Sequence, residues 1–91
     1  MMYKVIYSPQ AEKALEQLAR KAPHLAKDIL DKIEWLAKNA EVIKHERLRG
    51  TRDFSLHCGQ YRIPYLWDRE GKAIIIELIA KHDEAYRKLK R

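Results

Sequence analysis

His57 and Arg62 flank a glycine turn in the stretch HCGQYRIPY, residues 57–65. If Gly59-Gln60 forms a two-residue type II′ turn with glycine first, Cys58 pairs with Tyr61 and His57 with Arg62. A guanidinium offers a planar fork of donors that matches two phosphate oxygens. An imidazole, with an ordinary pKa of about 6.5, gives or takes a proton near neutral pH. Together on one sheet face the two suit a phosphodiester: Arg62 stabilises the charge that builds on its oxygens and His57 moves a proton. The same pair also suits an ordinary solvated sheet surface.

The hairpin must continue past its turn to hold them. Its register pairs Leu56 with Ile63, Ser55 with Pro64 and Phe54 with Tyr65. Phe54, Leu56, Cys58, Tyr61, Ile63 and Tyr65 then share an apolar side, continued by Trp67, and Ser55, His57, Arg62 and Pro64 share the other. Pro64 has no amide to give a ladder, which predicts a bulge or a water-facing ladder position there.

The apolar side needs a cover, and the N-terminal half supplies one. Residues 2–7 alternate as a strand. Ser8 then offers an N-cap hydroxyl and Pro9 fits a first helical turn, so a helix runs from Pro9 to about Arg20 with Ala11, Ala14, Leu15 and Leu18 inward. A second helix runs from Pro23 to about Asn39, with Leu25, Ile29, Leu30, Ile33, Leu36 and Ala37 on its apolar face. The short link between them makes an αα-hairpin. Residues 40–52 lose periodicity and form a loop anchored by Leu48, whose Lys44, Arg47, Arg49 and Arg52 read first as a solvated connection and second as phosphate contacts. AIIIELIA, residues 73–80, is a buried central strand. Asp83 to Arg91 forms a short basic helix or tail.

The order is β-α-α-β-β-β with a short C-terminal helix: an α+β fold of two layers, an antiparallel sheet with the helical hairpin on one face. Ninety-one residues hold one domain, 1–91. Nineteen Lys and Arg against 13 Asp and Glu give a net charge of +6, which favours a polyanionic or acidic partner. Cys58, the single cysteine, excludes an internal disulfide framework and fits a reducing cytoplasm. No stretch is long and apolar enough to span a membrane. His45, His57, Cys58 and His82 are too scattered for a zinc site, and no cofactor loop is present, so neither metal nor cofactor is expected.

In order along the chain, YKVIYSPQAEKAL, the helical hairpin, KHERLRG, CGQYRIPY and IAKHDEAYRKL resemble the RelE/ParE toxins of bacterial and archaeal toxin–antitoxin pairs. The most specific part is the Gly-x-Tyr-Arg-aliphatic-x-Tyr pattern at Gly59 to Tyr65, followed by Tyr86 after an aliphatic strand. The resemblance implies a microbial RNase-like fold, a cytoplasmic toxin and a masking RelB-like antitoxin. It also implies one of two targets. RelE-type members cut mRNA in the ribosomal decoding site by attack of a ribose 2′-OH on the adjacent phosphate, whereas ParE-type members bind DNA gyrase. A non-catalytic member that only binds antitoxin is a third possibility.

Carried over by position, Arg62 takes the place of the family's sheet arginine and Tyr86 that of the C-terminal tyrosine, which stacks on a base or orients the attacking hydroxyl. His57 and His82 are the acid–base candidates, and Lys81 joins Lys44, Arg47, Arg49 and Arg52 as a phosphate contact. The chain departs from the family where Lys or Arg commonly precedes the turn, having Ser55 and His57, and where a His-Arg pair commonly follows the last strand, having Lys81-His82.

Overall fold

Ser8 and Pro9 end strand β1 (Lys4–Tyr7) and open helix α1 (Pro9–Lys21). The Ser8 hydroxyl accepts from the Ala11 amide at 3.0 Å, and Pro9 fills a position whose amide would have no helical partner. Helix α2 (Pro23–Asn39) follows after Ala22 alone. The computed structural model describes residues 2–48 and 50–83. The expected C-terminal helix falls almost wholly outside them.

Strands β2 (Phe54–Cys58) and β3 (Tyr61–Asp68) form the expected hairpin in the expected register, from Cys58 opposite Tyr61 to Phe54 opposite Tyr65. Gly59 carries a φ of +59°, the left-handed value that the first residue of a type II′ turn requires. Beyond them lie β4 (Ala73–Ile76) and the two-residue β5 (Ala80–Lys81).

The sheet order is β1-β4-β3-β2, with β5 also paired to β3. It is antiparallel across β2, β3, β4 and β5, but β1 runs parallel to β4, so the sheet is mixed. Turn chemistry announces a hairpin, whereas nothing in residues 2–7 names a partner some 70 positions away.

The aliphatic run 73–80 does not form one strand. It breaks after Ile76 and resumes at Ala80, and Pro64 accounts for the break. The Pro64 carbonyl accepts from the Glu77 amide at 2.9 Å, but its ring nitrogen has nothing to return to the Glu77 carbonyl. The Ser8 hydroxyl donates to that carbonyl instead, at 2.6 Å. One serine therefore caps α1 and replaces the ladder bond that proline removes. Pro64 is fully buried within an unbroken β3 and does not face water; the expected bulge lies across from it, where the register against β3 shifts by one residue between Ile76 and Ala80.

The helices lie on one sheet face. Ala11, Ile29, Ile33, Leu36 and Ala37 pack with Leu56, Ile63, Tyr65, Ile74 and Ile76 in a single core. Leu30, expected inward, is 43% exposed, and Ala26 is buried in the same helix instead.

Candidate functional site

Alternation along β3 sends Tyr61, Ile63 and Tyr65 to the helices and Arg62 to the opposite face. Arg62 lies opposite His57 on β2 and opposite Ala80 on β5. Its Nη1 donates to the Ser55 hydroxyl at 2.9 Å, which fixes one edge of the guanidinium. Its Nε is buried with no acceptor. Among the described residues no carboxylate lies within ion-pair distance of Arg62. An arginine held by a neutral hydroxyl keeps its charge and its remaining terminal N–H donors for an incoming anion.

His57 is exposed beside it. Partial desolvation, followed by the Arg62 charge, holds its pKa below the ordinary 6.5; Glu46 pulls the other way and His82 adds a little to the depression. The ring is therefore predominantly neutral at pH 7 and ready to accept a proton. The His82 amide donates to the Gln60 carbonyl at 3.1 Å, which draws the segment after β5 against the hairpin turn. Its Nδ1 lies 3.3 Å from Asp83 Oδ1. The fold thus gathers three of the expected groups, Arg62, His57 and His82, at one end of the open face.

The remaining candidates are dispersed. Lys81 lies opposite Tyr61, which packs on the helix-side core, so Lys81 belongs to the other face. There it lines a cleft of about 530 Å³ with Lys13, Gln17 and Lys21 of α1, away from Arg62. Expecting it beside His82 overlooked that consecutive strand residues point to opposite faces. Arg47 bridges to Phe54, with its guanidinium 4.8 Å from that ring and Nη1 3.4 Å from the Arg52 carbonyl. Phe54 is three residues, roughly 10 Å, along β2 from His57. Arg52 is exposed beyond it. Lys44 is exposed too, but it lines a cavity shared with Ser55 and His57. Arg49 and Tyr86 lie outside the described residues.

Two residues given no role from sequence matter here. His45 stacks on Trp67 at 3.7 Å, its ring nitrogens 2.7 Å from the Ala40 carbonyl and 2.6 Å from the Tyr65 hydroxyl. A carbonyl only accepts, so Nε2 carries the hydrogen, and in the neutral ring Nδ1 accepts from Tyr65. Burial pushes the Tyr65 hydroxyl well above its ordinary pKa, which keeps it a donor. This pins the 40–48 loop against the sheet. The backbone carbonyl of the next residue, Glu46, accepts from the Ser55 amide at 2.7 Å, and the Glu46 carboxylate lies within electrostatic reach of His57. The only sequence signal was the position of His45 and Glu46 within KHERLRG.

Burial raises the Cys58 thiol, which argues against a nucleophile. Among the described residues no three His, Cys, Asp or Glu side chains form a group that would hold a metal ion, and no helix is long and apolar enough to cross a membrane.

A family model of the ParE toxin of type II toxin–antitoxin systems matches residues 5–86. The chain belongs to that family. Three solved structures share the fold of this ParE-family toxin. The Mycobacterium tuberculosis RelBE2 toxin–antitoxin complex matches at 23% identity and TM-score 0.66, over 90% of this chain and 100% of that one. A mutant Escherichia coli RelE toxin in the free state matches at 18% and 0.73, over 98% and 95%. The Staphylococcus aureus YoeB dimer matches at 17% and 0.71, over 90% and 99%. A search of curated proteins gave no match. The toxin therefore sits in the RelE/ParE superfamily, with the two-layer α+β fold of RelE.

Proposed function

We propose that this toxin is a ribosome-dependent mRNA endoribonuclease that halts translation, with a RelB-like antitoxin as its masking partner. The observation that supports this reading is Arg62: partly exposed on the face away from the helices, without a carboxylate partner among the described residues, and across the hairpin from a neutral His57.

The reaction follows from those groups. His57 takes the proton of the ribose 2′-OH as its oxygen attacks the adjacent phosphorus. The bond from phosphorus to the 2′-oxygen forms, the bond to the 5′-oxygen breaks, and His82 supplies a proton to that leaving oxygen. The products are a 2′,3′-cyclic phosphate and a 5′-hydroxyl end. Arg62 stabilises the pentavalent phosphate between them. Lys44, at the cavity beside His57, meets a flanking phosphate; Arg47 and Arg52 meet more distant ones, Arg49 is a further phosphate contact, and Tyr86 stacks on a base.

A second reading, gyrase inhibition by protein binding, draws on the ParE name of the matched family model and on the thin charge of the site. Ser55 and His57 stand where fixed cations would strengthen phosphate binding, and Lys81 is on the other face. The two are separated by running purified toxin in a reconstituted translation reaction and in a supercoiling assay. Cleaved message with normal supercoiling supports the nuclease. Intact message under saturating toxin rejects it, and arrested supercoiling then supports the rival. Neither effect, with antitoxin still bound, would leave a non-catalytic antitoxin-binding member.

A further inference from the structure

The cavity that Lys44 shares with His57 has a lining that phosphate chemistry does not require. It measures about 150 Å³ and lies at the outer edge of β2, between α2 and the 43–46 loop. Trp35, Ile43, Leu56 and Tyr65 give it apolar and aromatic walls, and Lys32, Lys44, Glu46, Ser55 and His57 give it polar ones. Trp35 is 42% exposed, unusual for so large an apolar side chain, and the Lys32 ammonium lies 4.5 Å from its ring centroid. A space of roughly this size accepts a six-membered ring.

Its polar groups face unequal demands. Lys32 and Lys44 donate and Glu46 accepts, and among the described residues none of the three forms a salt bridge. Ser55 lines the cavity and its hydroxyl holds Arg62 Nη1, so cavity and guanidinium share one residue. A ligand reaching from the Arg62 phosphate into this space would present a flat ring to Trp35 and a hydrogen-bond donor to Glu46.

We propose that this cavity is a nucleobase subsite. It takes the base of a nucleotide adjoining the phosphate at Arg62, stacks it on Trp35, and favours bases whose exocyclic amino group donates to the Glu46 carboxylate. Stacking on tryptophan tolerates any base, because every base has a π-face. Selection comes from Glu46, which accepts from the amino group of cytosine or adenine and finds only a carbonyl at the same place on uracil. The proposal rests on the nuclease reading for the identity of the ligand, and is tested without the ribosome.

The experiment titrates cytidine, adenosine and uridine 5′-monophosphates into the full chain and follows tryptophan fluorescence. Trp67, stacked on His45 and not part of the cavity lining, contributes the background signal. Saturable quenching is expected, with the cytidine and adenosine compounds binding roughly ten-fold tighter than the uridine one, the worth of one charge-assisted hydrogen bond. Trp35→Leu removes the quenching, and circular dichroism verifies that this surface change leaves the fold intact. Glu46→Gln brings the affinity ratio towards one, because an amide both donates and accepts. The ratio cancels any gain from losing a negative charge near the phosphate.

Unsaturable quenching, quenching that survives Trp35→Leu, or an affinity ratio indifferent to Glu46→Gln would overturn the subsite. Failures of the two readings look different. Mononucleotide binding through Trp35 in a toxin that leaves message intact sinks the nuclease and keeps the subsite. Cleavage whose base preference is the same in Trp35→Leu, Glu46→Gln and the parent sinks the subsite and keeps the nuclease.

Discussion

Arg62 and Ile63 are chain neighbours on β3, yet they serve opposite faces of the sheet. Ile63 is wholly buried beneath the helices as part of the apolar core. Arg62 meets one hydroxyl and keeps its charge open. The covered face is redundant, since many apolar contacts each contribute a little. The open face concentrates its purpose in a few groups whose neighbours set their charge. Damage should therefore separate by face: stability first on the covered side, chemistry first on the open side.

The largest effect is expected from Ile63→Ala. Removing a core isoleucine costs about 2–5 kcal/mol, a large share of what a domain of this size holds in reserve. Chemical denaturation should show the unfolding free energy falling by that amount, with activity lost only as the fold is lost. Arg62→Ala makes the opposite case. Message cleavage should drop by about 10²–10³-fold, the usual cost of deleting one transition-state donor. Stability should change by under about 1 kcal/mol, because no ion pair among the described residues is broken. If Arg62→Ala unfolds the protein, the guanidinium belongs to the fold and the contrast between faces collapses.

Ser8 joins the two faces and ranks next. Ser8→Ala deletes the α1 cap and leaves the Glu77 carbonyl without the hydroxyl that compensates for Pro64. A lost cap and an orphaned part-buried carbonyl together cost about 1–3 kcal/mol. Ser8→Thr, which keeps the hydroxyl, should recover most of it. A loss of under about 0.5 kcal/mol in Ser8→Ala, the range of an ordinary surface change, would mean that water satisfies the carbonyl and that Pro64 needs no partner.

That link also shows where reading the sequence stops. The hairpin register, α1 with its Ser8 cap and α2 were legible because each is written in adjacent residues: Gly59 for the turn, Ser8-Pro9 for the helix start, apolar spacing for the buried stripe. The parallel place of β1, the break at Glu77 and the ties from His45 to Tyr65 and Ala40 were not, since each joins residues whose meeting depends on the whole fold. The same division runs through the site. His57 opposite Arg62 follows from one glycine, and the placement of Lys81 on the other face follows from strand alternation. The cavity formed by Trp35, Lys44 and Glu46 has no local signature, because its walls come from a helix, a loop and a strand.

The smallest effect is a shift in pH dependence, and it tests whether the open face is tuned. His57 must be neutral to take a proton, so the acid limb of the cleavage profile should rise with pH through its pKa. Desolvation and the Arg62 charge hold that pKa below 6.5, so the acid limb should lie below 6.5. Glu46 opposes the depression. Glu46→Gln removes that opposition, and the limb should move to still lower pH. Stability follows the same sign, because a depressed histidine pKa means the folded state binds its proton less readily than the unfolded chain. The stability His57 contributes is thus lost as pH falls from 6.5 through its lower folded value. A pH-rate profile of the Glu46→Gln variant displaced upward, or a limb that survives His57→Asn, would assign the titration to another group and leave His57 as a bystander on the sheet.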